Sequence, residues 1–564
     1  MKTYHIHIRG LVQGVGFRPH VYRVAAASGL KGIVYNSKDG VHIEINAAND
    51  EAHFFYKQII QSPPSNAIIT SHTICVTTKK FYESFTITTG EADTHPDLLI
   101  PPDYALCINC RDEITDTKNR RYRYPFTTCL HCGPRYSIIR ELPYERINTT
   151  MATFTMCSDC NNEYEDMLGR RHFSQTNSCI NCAIPMHLYD KAVTEVSNQP
   201  AEIFSMVETA LRAGNIVAVK GIGGYLLVCD ACNENTIHLL RERKHRPLKP
   251  FALLYYDVAM AVQDFFIYNA EKNALQSKVA PIVLCNLKES AASGIISNAI
   301  APGLGKIGLM LPSTGLLQMI SQDFGKPLIG TSANLSGSPV IYKDTDALEK
   351  LPGIADLILS YDREIMVPED DSVLQVNATG HEIILRRSRG LSPNYFPSPF
   401  TNVNECTLAM GGDLKCAFAI QLGKTVYVSQ YLGNQENTDS QDAFTHTASH
   451  LMTLLQVKPT ILLTDKHPGY FVTQHARDLA IKYDLPLKEI QHHKAHFGAV
   501  LAENGLLETK KPVLGFIWDG TGYGDDSQVW GGEIMVYENN DIQRLAHLDY
   551  FPQLLGDKMS REPR

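Results

Sequence analysis

Eight cysteines between Cys107 and Cys182 stand in four Cys-x-x-Cys pairs: Cys107/Cys110, Cys129/Cys132, Cys157/Cys160 and Cys179/Cys182. Eighteen residues separate the two pairs of each half, and the halves begin fifty residues apart. Other residues repeat at the same interval: Arg120-Arg121-Tyr122 is answered by Arg170-Arg171-His172, and Glu113 by Glu163. A Cys-x-x-Cys turn offers two thiolates to one ion, and two such turns complete the four-sulfur tetrahedron that Zn²⁺ prefers. The spacing predicts two structural zinc sites, most simply with each half keeping to itself. With every ligand a protein thiolate, neither site has a vacancy for substrate or water. Disulfides or plain buried thiols are the alternative, and a duplicated spacing argues against them.

Other residue sets suit anions. In Gly10-Leu11-Val12-Gln13-Gly14-Val15-Gly16-Phe17-Arg18, glycines let successive backbone N–H groups converge as an anion nest. Arg18 adds a planar fork suited to phosphate, on a loop expected to face solvent. A second glycine turn, Lys220-Gly221-Ile222-Gly223-Gly224, follows an apolar strand; it is not a Walker A loop, but its backbone and Lys220 can approach a phosphate. Between Leu239 and Pro250 lie five cationic residues, among them Lys244, Arg246 and Lys249, in a loop fixed by prolines. Thr331–Gly337 is dense in hydroxyls and contains Ser332 and Asn334, and Arg386, Arg387 and Arg389 follow in one short run. His492 and His496 share one face of a predicted helix, close enough to grip one ion. Asp519, in Asp519-Gly520-Thr521-Gly522-Tyr523-Gly524, could add an oxygen to complete a set suited to Fe or Zn.

These residues need several scaffolds. A chain of 564 residues holds about three to five domains. Residues 1–92 read strand, helix, strand, strand, helix, strand, the ferredoxin-like plan. Residues 93–190 carry the cysteines after a proline-bearing linker at 93–103. Residues 191–398 alternate strands and helices around Lys220, and residues 405–564 begin another glycine-turn α/β domain. The fold class is multidomain α/β and α+β. Hydrophobic residues make up 44%, and the net charge of −8 argues against a general nucleic-acid binder. No apolar run approaches the roughly 18 residues of a membrane span. Fourteen cysteines without a signal-peptide pattern point to a reducing, cytoplasmic setting.

With Asn36 and Gly40 at their spacing, residues 1–92 closely resemble acylphosphatases. That resemblance implies that Arg18 and the 13–18 loop hold the phosphate of an acyl phosphate while Asn36 orients the attacking water. Residues 191–398 look like a YrdC-type domain, which implies acyl-adenylate formation from ATP. Lys220, Lys244, Arg246 and Lys249 would then neutralise phosphates, and Ser332, Asn334, Arg386, Arg387 and Arg389 would hold nucleotide and acyl group. Mg²⁺ is the implied counter-ion. The glycine loop at 411, the His492/His496 pair and the Asp519 loop resemble the first lobe of a Kae1-like domain, of the actin/Hsp70 type.

Acylphosphatase-like, double zinc, YrdC-like, Kae1-like is the domain order of the HypF carbamoyltransferases of nickel–iron hydrogenase maturation, and the resemblance covers essentially the whole chain. It implies cleavage of carbamoyl phosphate, formation of carbamoyl-adenylate with ATP, and transfer of the carbamoyl group to the C-terminal cysteine of a partner, HypE, on the way to cyanide ligands. In that family the tract at Gly556–Arg564 leads into a second lobe. The expectation is therefore a C-terminally truncated chain without that lobe and without the final transfer. Two other readings are threonylcarbamoyl-adenylate synthesis for tRNA modification and a zinc-ribbon nucleic-acid scaffold. The acylphosphatase-like and zinc segments argue against the first, and Arg18, Asn36, Lys220 and the basic loop against the second.

Overall fold

In Tyr4-His5-Ile6-His7-Ile8, apolar and polar side chains alternate, so Tyr4, Ile6 and Ile8 are buried on one face while the histidines occupy the other. This strand, β1 (Lys2–Leu11), is followed by α1 (Phe17–Ala27), β2 (Lys31–Ser37), β3 (Gly40–Ala47), α2 (Asn49–Gln61), β4 (Ile68–Thr77) and β5 (Phe85–Thr89). The sheet order is β4-β1-β3-β2-β5. All pairings are antiparallel except that of β5, which runs parallel to β2 at the edge. Val21 and Ala25 of α1, with Ala52, Phe55 and Ile59 of α2, recur at helical spacing and are buried. The predicted ferredoxin-like plan is present. The computed structural model describes residues 1–89, 98–334, 338–398 and 405–550. Part of the predicted 93–103 linker, residues 335–337 and the tract at Gly556–Arg564 lie outside them.

Each zinc half opens with a short helix, Ile108–Thr115 or Ser158–Glu165, that carries the second cysteine in its first turn. Tyr124 and Phe126 do not fill a small core of their own. They join a cluster with Leu316, Leu317 and Ile320 of the helix Gly315–Phe324 and with Val217 and Val219. The zinc region therefore shares its core with the domain that follows.

That domain is built on a twelve-stranded mixed sheet. Its strand Val217–Lys220 pairs antiparallel with Tyr225–Asp230 and parallel with Leu357–Tyr361. Successive side chains point to opposite faces, Val217 and Val219 into one core and Ile216 and Ala218 into the other. Burial on both faces explains the continuous apolar run that ends at Lys220. Met186–Asp190 and Glu195–Ser197 extend the sheet beyond Leu357–Tyr361.

The chain divides into two compact units, residues 1–394 with 442–456, and residues 395–441 with 457–564. In the second, Cys406–Ala409, Ile461–Asp465 and Leu487–Ile490 run parallel within a six-stranded sheet. The helix His492–Glu503 then packs Phe497 and Leu501 against Ile517, Trp530, Met535 and Tyr537 of a three-stranded antiparallel sheet. Gly515 permits that approach, since a Cβ there would lie 2.6 Å from the Phe497 ring. Among the described residues no helix is long and apolar enough to cross a membrane.

Candidate functional site

Arg18 is the second residue of α1, behind a loop in which Gly14 and Gly16 have φ of 69° and 79°. Side chains with a Cβ avoid that region, so glycine is needed for the loop to turn its N–H groups inward. The sequence places this loop toward solvent, but Arg18 is only 5% exposed because the zinc region covers it. Its Nη1 and Nη2 donate to the two oxygens of Glu145 at 2.6 and 3.2 Å. The Asn36 amide nitrogen lies 3.5 Å from the same carboxylate; turned over, its oxygen would accept from Arg18 at 3.2 Å. The guanidinium stands 5.1 Å over the Phe173 ring. Gln13 braces the loop, donating to Ser37 O and Gly40 O at 2.6 and 3.0 Å and accepting from Tyr144 N at 3.0 Å. Arg135 is buried and ties the Gly14 carbonyl to the carbonyls of Cys129 and Cys132. Arg18 and Asn36 thus share one pocket with Leu130 and Phe173. Glu145 was missed by sequence reasoning; it stands between the zinc halves, outside any repeat or motif.

The sulfurs of Cys107, Cys110, Cys129 and Cys132 lie within 4.8 Å of one another, as do those of Cys157, Cys160, Cys179 and Cys182. Five of these S···S separations are 3.6–4.0 Å. A tetrahedron with Zn–S bonds of 2.3 Å has edges of about 3.8 Å. Both clusters fit zinc, each half supplying its own four ligands. The repeated arginines do not pair locally but cross over. Arg121 donates to Glu163 at 2.9 Å and lies 3.7 Å from Cys160 Sγ, with Arg120 at 3.4 Å from the same sulfur. Reciprocally, Arg171 donates to Glu113 at 3.2 Å, and Arg170 lies 2.6 Å from Cys110 Sγ. Four thiolates around Zn²⁺ leave two negative charges, and each cluster meets two guanidinium groups from the opposite half.

In the large sheet's domain, Lys244 caps the C-terminus of the helix Glu234–Arg243 and is fully buried. Its Nζ donates to Ser332 O at 2.7 Å and to Asn334 Oδ1 at 3.1 Å, while Ser332 Oγ donates to Asn334 Oδ1 at 2.9 Å. Burial lowers the Lys244 pKa to about 7, with Arg246 adding to the shift. Arg246 donates to Thr331 Oγ1 at 3.0 Å, and burial lowers it to about 10. Lys249 is lowered too, by burial and then by Arg246 and Arg386. Arg386 is ion-paired with Asp370 at 2.5 Å. These residues form one cationic cluster.

Three predicted residues stand apart from its hydrogen-bonded centre. Lys220 is buried, bonded to Asp344 and Tyr361 O at 2.7 Å each, and lines a different pocket with Arg363. Arg389 is buried against Asp371 at 2.7 Å and the carbonyls of Val279 and Ala280 at 2.9 Å, a clasp between loops. Arg387 is half-buried.

In the second unit, His492 and His496 occupy successive turns of one helix, their Nε2 atoms 3.2 Å apart. Asp519 Oδ2 lies 3.1 Å from His492 Nε2 and 3.7 Å from His496 Nε2. An oxygen so placed, facing two imidazole nitrogens, fits a shared metal ion. Asp465 Oδ2, 2.6 Å from His492 Nδ1, orients the ring from behind, as carboxylates do for metal-bound histidines. Asp465 ends a buried strand, and the sequence reading left it out of the ligand set.

Family models match in the order of the domains. Acylphosphatase matches residues 4–87, the HypF finger 106–139 and 156–189, and the Sua5/YciO/YrdC model, described as telomere recombination, 209–388. The HypF Kae1-like domain matches 402–503, and the second subdomain of the carbamoyltransferase Kae1-like domain matches 515–564. The last match corrects the expectation that residues 405–564 all belong to the first lobe, since the second-subdomain model begins at residue 515, in the three-stranded sheet. The carbamoyltransferase HypF of Synechocystis is 42% identical over 99% of this chain and 71% of its own length. A crystal structure of full-length HypF in a phosphate- and nucleotide-bound form has a TM-score of 0.90 and 36% identity, over 97% of this chain and 70% of that one. The crystal structure of T. kodakarensis HypF also gives 0.90 and 36%, over 99% and 71%. With four successive domain types, their spacing and the whole-chain likeness in agreement, this chain belongs to the HypF family of carbamoyltransferases.

Proposed function

We propose that this carbamoyltransferase cleaves carbamoyl phosphate at Arg18, activates the freed carbamate with ATP as carbamoyl-adenylate, and passes the carbamoyl group to the C-terminal cysteine of HypE in nickel–iron hydrogenase maturation. One observation carries the reading: the Arg18 pocket is covered by the zinc region instead of opening freely to solvent. Leu130 and Arg135 line it; Thr128, Gly133 and Pro134 of the same knuckle line a second pocket with Lys220 and Arg363. Ile222 and Ser313 border both that pocket and a third beside Gly223, Ser332 and Asp370. Cation-lined, partly sheltered space of this kind suits carbamate, which decomposes in water.

In the first step Arg18 leaves Glu145 and takes the phosphate, helped by backbone N–H groups of the 13–18 loop. Asn36 orients a water, whose attack yields carbamate and inorganic phosphate. Charge neutralisation and positioning are the main requirements of such a site. In the second, a carbamate oxygen attacks the α-phosphorus of ATP and pyrophosphate leaves. Lys244, Arg246, Lys249 and Arg386 balance phosphate charge, Ser332 and Asn334 fix the acyl end, and Mg²⁺ accompanies the nucleotide. In the third, the partner's thiol attacks the carbamoyl carbon and AMP leaves. His492, His496 and Asp519 would hold iron or zinc, which supplies positive charge to the nucleotide phosphates. The zinc-region arginines are bonded between the halves, which supports an enzyme over a nucleic-acid scaffold.

The test is carbamoyl-phosphate-dependent exchange of labelled pyrophosphate into ATP. Wild type should exchange, Arg18→Ala should not, and added carbamate should restore exchange to Arg18→Ala. Absence of exchange in wild type, or a variant that carbamate cannot rescue, would overturn the reading.

A further inference from the structure

Lys220 and Arg363 emerge at the same end of the large sheet. The strands Val217–Lys220 and Leu357–Tyr361 run parallel, so their carboxyl ends open on one side, where sheets of this kind commonly take their ligands. The helix Gly315–Phe324 begins there too: Ser313, Thr314 and Gly315 line one pocket with the two cations. From the zinc region, Phe126 and Pro134 complete its wall.

Charge counting separates the two cations. Lys220 is balanced, with its Nζ 2.7 Å from the Asp344 carboxylate. The Arg363 side chain is buried at 5% exposure and, among the described residues, makes no ion pair and a single hydrogen bond. That bond runs from Nη2 to the Tyr361 hydroxyl at 3.5 Å, the outer limit for such a contact, and the hydroxyl gives its own proton to the Gly221 carbonyl. The rings of Phe126 and Tyr361 lie 5.6 and 5.2 Å from the guanidinium, which steadies it without cancelling its charge. A guanidinium taken this far out of water calls for a counter-charge. At the helix start, the Thr314 hydroxyl accepts from Leu317 N. The first N–H groups of a helix have no acceptor within it, and they add partial positive charge at the same place.

We infer that Arg363, Lys220 and the start of the helix Gly315–Phe324 form a site for a small monocarboxylate. With Lys220 and Asp344 cancelling, one positive charge is left, which fits a monoanion better than a phosphate dianion. The flat fork of Arg363 matches the two oxygens of a carboxylate, and the aromatic rings beside it suit a planar ligand. The ligand's identity rests on the reading given above: it is carbamate, held between its release at Arg18 and its attack on ATP. Ile222 and Ser313 border this pocket and also the one beside Ser332, so the carboxylate waits next to the cationic cluster. Lys220 then serves the carboxylate instead of the nucleotide phosphates.

Two measurements on the zinc-loaded full chain test this. In the first, ¹³C-labelled formate alone is titrated without nucleotide and followed by the broadening of its resonance. Wild type should bind it saturably, and Arg363→Gln should weaken that binding about 10- to 100-fold. In the second, pyrophosphate exchange is driven by added carbamate, which bypasses Arg18. Arg363→Gln should raise KM for carbamate by the same factor and leave KM for ATP near its wild-type value. Arg363→Lys keeps the charge without the fork and should fall between the two. Zinc content and a thermal melt at wild-type values establish that the variants fold. Absence of carbamate-driven exchange in wild type would count against the functional reading, while the formate titration still judges the site. No saturable formate binding in wild type, equal binding by Arg363→Gln, or a rise confined to KM for ATP would overturn the inference.

Discussion

At Arg18 the guanidinium already holds Glu145, with both side chains largely out of water. Arg18→Ala should cut phosphate release from carbamoyl phosphate by at least about 100-fold and also destabilise the fold by about 3–5 kcal/mol, because the carboxylate is left buried without its cation. Adding Glu145→Gln should restore most of the stability and none of the activity; thermal melts beside a phosphate assay separate the two. Arg18 and Asn36 were legible because a glycine loop and a spaced asparagine fall within one small domain. Glu145 was not, since it comes from 127 positions away and nothing in its own neighbourhood marks it. Lys244 offers a pH test. Its folded pKa of about 7 lies below its ordinary 10.5, so between these values the unfolded chain binds a proton that the folded chain does not. Stability should therefore rise with pH across that window, by about 2 kcal/mol from pH 7 to 9. Lys244→Met should flatten the rise in urea melts and abolish pyrophosphate exchange.

The two zinc halves are the element whose chemistry the sequence displayed best and whose assembly it concealed. Spacing alone gave eight ligands and two clusters, because a Cys-x-x-Cys turn is a local object. Which arginine serves which cluster is a long-range matter, and a tandem repeat reads the same whether its halves are independent or exchanged. The crossover carries a direct consequence. Arg171→Ala lies in the second half but should speed zinc release from the first, about 10–100-fold, as measured with a chromophoric chelator. Release confined to the second half would show that the crossed contacts are incidental. For the same reason a strong chelator should empty both clusters in one phase. The strands were also legible, since alternation in β1 and the unbroken apolar run before Lys220 report one-sided and two-sided burial. The shared core of the zinc region was hidden, because Tyr124 and Phe126 look alike whether they pack within a knuckle or onto a neighbouring sheet.

Across the first unit, His172 joins the second zinc half to the acylphosphatase domain, its ring 5.9 Å from Tyr22 of α1 and 4.9 Å from Phe173. Burial, then Arg23, lowers its pKa from 6.5 to about 4. Between those values only the unfolded chain is protonated, so stability should fall as pH drops through the window, by up to about 3 kcal/mol. His172→Phe should keep the packing and remove that part of the acid sensitivity in denaturant melts at pH 7 and 5. A steep acid dependence that survives the substitution would place the sensitivity elsewhere. Contacts at this scale left no trace in the sequence, where domain order was readable but the faces that meet were not.

The Glu145 carboxylate reaches Arg18 on a tether, so it is a ligand that never diffuses away. A tethered group acts at an effective concentration of about millimolar or above, whatever is dissolved around it. Inorganic phosphate must compete with that internal occupant, and so must every other small oxyanion the protein meets. If Arg18 takes carbamoyl phosphate as proposed, this tethered carboxylate would clear the product after each turnover and admit only a substrate with enough charge and shape to displace it. Replacing Glu145 by Gln should then lower KM for carbamoyl phosphate and, in the same variant, strengthen inhibition by inorganic phosphate.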